Sequence, residues 1–362
     1  MIANKEVKMS SIKKKLGIFG SLLLVLALIV PVLFPATVLA TTYPLTLTDD
    51  LGREVTIEAL PERIISLAPS NTEILFALGL ADRVVGVTDF CDYPPEALEK
   101  EKVGGPWTPN IEKIVALEPD FILAEEINPI DVINTLEGLG LTVFGIESTD
   151  LDDLLNDINT VGIITDKESE AEALIDDMQS RIDAVTDETG GLVPGEKPRV
   201  FHIYWHDPIF TSGQGTFVYD LFEKAGGVNI FADLEGWPTV SLEEVIARDP
   251  EVIIVTAMGG VASGTWEWVN TESRLEDVSA RKNGRVYFAE SNWVERAGPR
   301  IVLGLEQLAK YIHPDIFFDP WDYDEDENGD ISKAEAIGAI QAYFNGLIAK
   351  AQAIQVVMLY FG

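Results

Sequence analysis

The chain has little of three things: cysteine, histidine and positive charge. Cys91 is the one cysteine in 362 residues, which excludes an intramolecular disulfide, a cysteine-built zinc site and iron–sulfur ligation. Three histidines, His202, His206 and His313, argue against an imidazole-built metal centre. His202 and His206 are four apart, but they fall on a predicted strand and its exit rather than on one helix face, unlike zinc-protease pairs. Basic residues number 26 against 60 acidic ones, a net charge of −34 with no basic stripe, so nucleic acid is excluded as a partner. No nucleophile elbow is present, and the Gly259-Gly260 turn lacks the lysine and helix context of a phosphate loop. An enzyme is therefore not expected. Hydrophobic residues make up 47%, enough for substantial cores, which excludes a wholly disordered chain.

Residues 1–40 read as an export signal. Lys13, Lys14 and Lys15 precede an apolar run from Leu16 to Phe34, and Val38-Leu39-Ala40 matches a small-residue cleavage pattern. Removing it leaves 21 basic and 59 acidic residues, a net charge of −38. No cysteine follows the run, so the expected product is exported, periplasmic or cell-surface, and not lipid-anchored. The rival reading is an uncleaved anchor, since a helix from Leu16 to Leu39 would reach ~36 Å.

From residue 45 to 315, short apolar strands alternate with helical patterns. Ile64–Leu67, Val84–Val87, Phe121–Ala124 and Val143–Ile146 form a first set, with helices near Asn71, Asn110, Asp131 and Asp152. Val200–Ile203, Val252–Val255 and Val286–Phe288 form a second, with helices near Thr216, Ser241 and Arg300. This alternation predicts α/β layers with mainly parallel sheets. One stretch occurs twice: N-I-E-K-I-V-A-L-E-P-D-F-I-L-A from Asn110 and S-L-E-E-V-I-A-R-D-P-E-V-I-I-V from Ser241. Each copy has a capping residue, a glutamate two positions on, an apolar stripe, an acidic-Pro-acidic stop and a strand. Pro119 and Pro250 end the helices by disfavouring helical geometry in the preceding residue. Ser241 and Glu244 form a capping-box pattern. Two similar α/β lobes, 41–166 and 197–315, are expected. Between them, 167–196 carries Ala171, Leu174, Ile175, Met178, Ile182 and Val185 at helical spacing, which predicts a long amphipathic linking helix.

Aromatic residues gather in loops at predicted strand ends, where open α/β sheets place their ligands. Tyr93 lies in C-D-Y-P-P, Trp107 in G-G-P-W-T-P-N, Tyr204 and Trp205 after the first strand of the second lobe, Trp237 in E-G-W-P-T-V-S, and Trp293 in S-N-W-V-E-R-A-G-P-R. Singly, each reads as a loop anchor on its own lobe; together they suit a broad, flat, partly apolar ligand.

The segments R-I-I-S-L-A-P-S-N-T-E-I-L-F-A-L-G, D-Y-P-P, N-I-E-K-I-V-A-L-E-P-D, P-I-F-T-S-G, V-S-L-E-E-V and W-V-E-R-A-G-P-R resemble, in order, the cobalamin-binding proteins of vitamin B12 ABC importers. These belong to a helical-backbone group that also carries iron–siderophore complexes and haem. The resemblance implies a corrinoid held between the lobes, with Tyr93, Trp107, Tyr204 and Trp237 at aromatic contact positions. Asn292 and Arg296 match two polar contacts, Asn292 standing where close relatives carry aspartate. It also implies that Glu112 and Glu243, the repeated glutamates, form salt bridges with arginines of the importer's membrane subunits. Taken alone, a glutamate in a first helical turn is explained by the helix dipole. The alternative cargo is an iron–siderophore or haem.

After His313-Pro314 the composition changes. D-E-D-E-N-G-D-I-S-K-A-E, residues 324–335, fits a twelve-residue EF-hand calcium loop. Asp324, Asp326 and Asn328 supply side-chain oxygens, Asp330 its carbonyl, Ser332 a direct or water-mediated contact, and Glu335 both carboxylate oxygens. Gly329 allows the sharp turn and Ile331 is the apolar anchor. The pattern recurs from Asn345, but Gln341, Tyr343 and Gln352 replace the loop carboxylates, so one Ca2+ site is expected. Residues 316–362 thus resemble a small all-α dockerin module, which implies a cohesin-like or other cell-surface partner. A chain whose main task is calcium-dependent surface adhesion or scaffolding is the remaining alternative.

Overall fold

The computed structural model describes residues 41–256, 264–326, 328–344 and 350–361. The export signal (1–40), the Gly259-Gly260 turn and the start of the second loop copy at Asn345 lie outside the described residues.

A hairpin of β1 (Leu45–Thr48) and β2 (Glu54–Ile57) opens the described chain. Next come β3 (Ile64–Ser66), α1 (Pro69–Ala77), β4 (Val84–Val87), β5 (Glu101–Lys102), α2 (Ile111–Ala116), β6 (Phe121–Glu125), α3 (Ile130–Gly138) and β7 (Val143–Ile146). Their five-stranded sheet has the order β5-β4-β3-β6-β7, and every pairing is parallel. Two helices follow, α4 (Leu151–Thr165) and the 22-residue α5 (Glu168–Thr189).

The second sheet is built from β8 (Arg199–Ile203), β11 (Val228–Asn229), β13 (Val252–Val255) and β14 (Val286–Phe288), in the order β11-β8-β13-β14, again wholly parallel. Beside it, β9 (Trp205–His206), β10 (Ile209–Phe210) and β12 (Thr239–Val240) make a small antiparallel sheet that the sequence reading had not resolved. The helices of this half are α6 (Phe217–Lys224), α7 (Leu242–Arg248), α8 (Thr265–Thr271), α9 (Ser291–Val294) and α10 (Ile301–Ile312). We call each parallel sheet with its helices a lobe.

The side-chain period of two divides each strand between two cores. Ile64, Phe121, Leu123 and Phe144 of the first sheet share one apolar core with Val200, Val252 and Ile254 of the second. The opposite faces go to separate cores: Ile65, Ile122 and Val143 in the first lobe, Phe201, Ile253 and Val255 in the second. Helix α5 contributes Met178, Ile182 and Val185 to the shared core, beside Leu154 and Ile158 of α4, Val218 and Leu221 of α6, and Leu305 and Leu308 of α10. Arg181 adds a bidentate pair to Glu306 of α10, at 2.8 and 2.7 Å. The Asp220 carboxylate on α6 accepts from the Leu151 amide at the start of α4 (3.0 Å), where the helix dipole favours an anion.

The sequence repeat is visible in the backbone. Helices α2 and α7 open on Asn110 and Ser241, whose side chains accept from the amides of Lys113 and Glu244, and the Ser241–Glu244 capping box is formed. After each helix the acidic residue preceding the proline takes a left-handed backbone, Glu118 (φ 48°) and Asp249 (φ 43°).

The last two helices, α11 (Lys333–Phe344) and α12 (Lys350–Tyr360), close over a small core of Ile331, Ala336, Ala339 and Val356. This module is tied to α10 and its exit by Lys310–Asp322 (2.7 Å) and by Gln352 donating to the Pro314 carbonyl (2.8 Å).

Asp157 on α4 is buried, with Ser148 Oγ donating to it at 2.5 Å. Burial, reinforced by the Asp50 and Asp153 carboxylates, pushes its carboxyl up to about 8. A raised acid stabilises the fold fully below its unfolded value, near ~3.9, and that stability is lost as pH climbs through the folded value. Melting temperature is therefore expected to decline from about pH 4 towards about pH 8, and Asp157→Asn to flatten that decline in thermal scans across the range.

Candidate ligand-binding cleft

The residues expected to line a cleft all follow carboxyl ends of the two parallel sheets. Tyr93 follows β4, Trp107 precedes α2, Trp205 follows β8, Trp237 precedes α7, and Asn292, Trp293 and Arg296 follow β14. Tyr93, Trp107, Trp205 and Trp237 are 41, 49, 40 and 43% exposed, too open for ordinary core anchors.

In the first lobe Trp107 packs edge-on against Phe90, ring centroids 5.6 Å apart. In the second, Tyr204 and Trp237 meet at 6.3 Å and 61°. Trp205 leans on His206, which stacks on Trp268 of α8 at 5.6 Å. Trp293 is half-buried on α9, with its carbonyl so close to α10 that a Cβ at Gly304 would stand 2.1 Å from it. Asn292 is oriented by Glu290, whose carboxylate accepts from both its amide (3.3 Å) and its side-chain nitrogen (3.1 Å).

Behind the Tyr204–Trp237 pair lies a polar network. His202 is fully buried and its ring sits 5.9 Å from Trp237. Its Nε2 is 2.7 Å from Thr256 Oγ1, and the Thr256 hydroxyl donates to Glu295 Oε1. With that proton committed to the carboxylate, the hydroxyl accepts from His202 Nε2. His202 Nδ1 has no partner among the described residues. Burial raises the Glu295 carboxyl above its ordinary value, and burial followed by the nearby Glu295 raises the Tyr204 phenol.

The tightest link between the lobes was not visible in the sequence. Glu73 on α1, with 2% of its side chain exposed, accepts from Arg296 Nη1 (3.0 Å), Arg300 Nε (2.9 Å) and Arg300 Nη2 (2.6 Å). Arg296 Nη1 also reaches Asp92 Oδ1 at 2.7 Å. The Arg300 guanidinium lies 3.8 Å from the Tyr93 ring centroid, a cation–π contact across the lobes. Gly298 lets its loop approach Glu73, since a Cβ there would stand 3.2 Å from Oε2. Tyr93 and Arg296 are thus brought together, while Trp107, Trp205 and Trp293 make their ring or backbone contacts within their own lobes.

Glu112 and Glu243 occupy matching first-turn positions of α2 and α7, and both are exposed; Glu243 lies 3.7 Å from Arg274. In the C-terminal module, carboxylate oxygens of Asp324, Asp326 and Glu335 come within 4.8 Å of one another. Gly329 takes a left-handed φ of 83° and Ile331 is buried, as the loop pattern requires. The Asn328 and Gly329 amides donate to Asp324 (3.1 and 2.8 Å), and the Asp330 amide to Asn328 Oδ1 (2.8 Å). The Glu325 and Ser332 amides donate to Glu335 (2.8 and 2.6 Å). Hydrogen bonds from Ser332 hold the Glu335 carboxyl below its ordinary range.

Two parallel α/β sheets covered by helices, with aromatic loops at their carboxyl strand ends, have the architecture of a binding protein. The chain belongs to the periplasmic binding protein family, whose model matches residues 64–293. It is 33% identical over 317 residues to the ABC transporter substrate-binding lipoprotein YvrC of Bacillus subtilis, covering 84% of this chain and 99% of that one. It is 36% identical over 253 residues to the vitamin B12-binding protein of Vibrio cholerae, covering 69% and 89%. The crystal structure of that organism's periplasmic vitamin B12 binding protein BtuF superposes with a TM-score of 0.63 at 34% identity, covering 70% of this chain and 97% of that one. A periplasmic haem-binding protein of Roseiflexus does so at 0.63 with 27% identity, covering 70% and 98%. These relatives bind substrates rather than transform them, in agreement with the expectation of a protein that is not an enzyme.

Glu295→Ala would strip the acceptor from the Thr256–His202 chain and is expected to cost ~1–3 kcal/mol in urea unfolding, with Glu295→Gln, whose amide oxygen still accepts, recovering most of that loss.

Proposed function

We propose that this protein is the exported substrate-binding component of an ABC importer, capturing cobalamin or a related corrinoid between its lobes. The observation that carries the reading is the set of rings in loops at the carboxyl ends of the strands, exposed Tyr93 and Trp107 on one lobe and exposed Trp237 with half-buried Tyr204 on the other, together with the similarity to vitamin B12-binding relatives. A corrin offers broad apolar faces and a rim of amides. Aromatic walls bury the faces at little entropic cost, and donors such as Arg296 and Asn292 suit the rim. The ring's cobalt brings its own ligands, so no protein ligand to it is required.

Protein mixed with cyanocobalamin and passed over a sizing column is expected to retain the corrin spectrum; a colourless protein would refute the cargo. Each of Tyr93→Ala and Trp237→Ala is expected to weaken that binding about tenfold, the loss of ~1.4 kcal/mol for one aromatic face. Iron–siderophores and haem are the competing cargo, favoured by the Roseiflexus likeness, and the same column separates them.

Glu112 and Glu243 are proposed as the docking points for the importer's membrane subunits, one acid per lobe at equivalent helix starts. Replacing both by Ala is expected to abolish corrinoid uptake in cells while equilibrium binding stays within about twofold, as exposed charges act mainly on partner encounter.

The C-terminal module is proposed to hold one Ca2+ through Asp324, Asp326, Asn328, the Asp330 carbonyl and Glu335, where the ion would neutralise three carboxylates already gathered within 4.8 Å. Its target is proposed to be a cohesin-like or other cell-surface partner, giving the receptor a tether. Calcium titration followed calorimetrically is expected to show one site, lost in Glu335→Gln, with cyanocobalamin binding unaffected by deletion of residues 316–362.

A further inference from the structure

We propose that Glu73 is a specificity-determining residue: by cancelling the charge of Arg296 and Arg300 at the cleft, it selects neutral, amide-rimmed rings and turns away anionic ones. The inference deepens the corrinoid reading and rests on it for the location of the guest.

The two arginines would otherwise be strong anion hooks, because a guanidinium fork matches a carboxylate in two-point geometry. The Arg300 fork is occupied, and Arg296 commits one nitrogen to two carboxylates. Arg300 gives Nε and Nη2 to Glu73 and its flat face to Tyr93, so its charge-seeking edge and its stacking surface are used together. Arg296 spends Nη1 on Glu73 and Asp92. Two positive charges thus meet two negative ones.

What remains suits a neutral guest. Nε and Nη2 of Arg296 have no partner among the described residues, which leaves N–H donors for amide carbonyls. A haem carries two propionates, and carboxylate and catecholate siderophores are likewise anionic. Such guests would meet arginines whose charge is already cancelled, and their desolvation would go uncompensated. Glu73 is the deciding group because it alone binds both arginines and because, with 2% of its side chain exposed, it is not displaced by solvent fluctuation.

The test compares hemin with cyanocobalamin on wild-type protein and on Glu73→Gln, which keeps the side chain's shape and removes its charge. Glu73→Gln is expected to raise hemin affinity at least about tenfold, and the gain to vanish between about 0.1 and 1 M salt, where the screening length falls from ~10 to ~3 Å. The gain is also expected to disappear in the triple variant Glu73→Gln, Arg296→Gln, Arg300→Gln. A purely structural role would weaken both guests and could not create a salt-sensitive gain. Unchanged or weaker hemin binding in a folded Glu73→Gln protein overturns the proposal.

Wild-type protein supplies an independent reading should the variant not fold. Its residual hemin binding is expected to be insensitive to salt over the same range, whereas a steep salt dependence would reveal an unspent guanidinium and overturn the proposal. Cyanocobalamin retention scores the cargo, and the hemin measurements score Glu73, so the failure of either is told apart from the failure of the other.

Discussion

The molecule depends on one apolar core that belongs to both sheets. Alternate residues of β3, β6 and β7 point into the same interior as alternate residues of β8 and β13, and α4, α5, α6 and α10 fill the space between them. Separating the sheets would expose Phe121, Phe144, Leu221 and Leu305 to water at ~1.5–3 kcal/mol each. The strand ends are therefore held at a set spacing before any ligand arrives, and the loops beyond them inherit that spacing. The polar ties follow from this. Arg181–Glu306 and Asp220 at the start of α4 lie where the shared core has already brought the lobes into contact.

At the cleft, the same rigidity allows charges to be balanced across the gap. The Glu73 carboxylate and the Arg296 and Arg300 guanidinium groups come from segments more than 220 residues apart. Such a buried cluster is favourable only when every partner stays in place, because removing one leaves an unpaired charge. The aromatic residues are less constrained. Trp107 and Trp237 each have one side packed on a ring of their own lobe and substantial area left open.

Much of the scaffold was legible from the sequence because its signals are local. Short, mostly apolar runs marked most of the parallel strands, and the capped, proline-terminated repeat marked α2 and α7. The α5 stripe from Ala171 to Val185 was equally plain. The small antiparallel sheet was not, because its two-residue strands carry no periodicity. Nor was the role of Glu73, which reads as an ordinary helix-start acid in S-N-T-E-I-L until Arg300 is seen against it. Arg296 had been marked by resemblance as a ligand contact; its ion pairs to Glu73 and Asp92 are long-range facts that no spacing rule supplies. The glutamate network behind Trp237 was hidden for the same reason.

The long helix α5 has a consequence for traffic at the membrane. Under the proposed importer role, halves clamped by a common interior would change their outline little on loading, so filled and vacant forms would offer nearly the same face to a transporter. Vacant copies would then occupy the same landing place as filled ones, and flux would depend on the ratio of receptors to transporters as well as on affinity for the cargo.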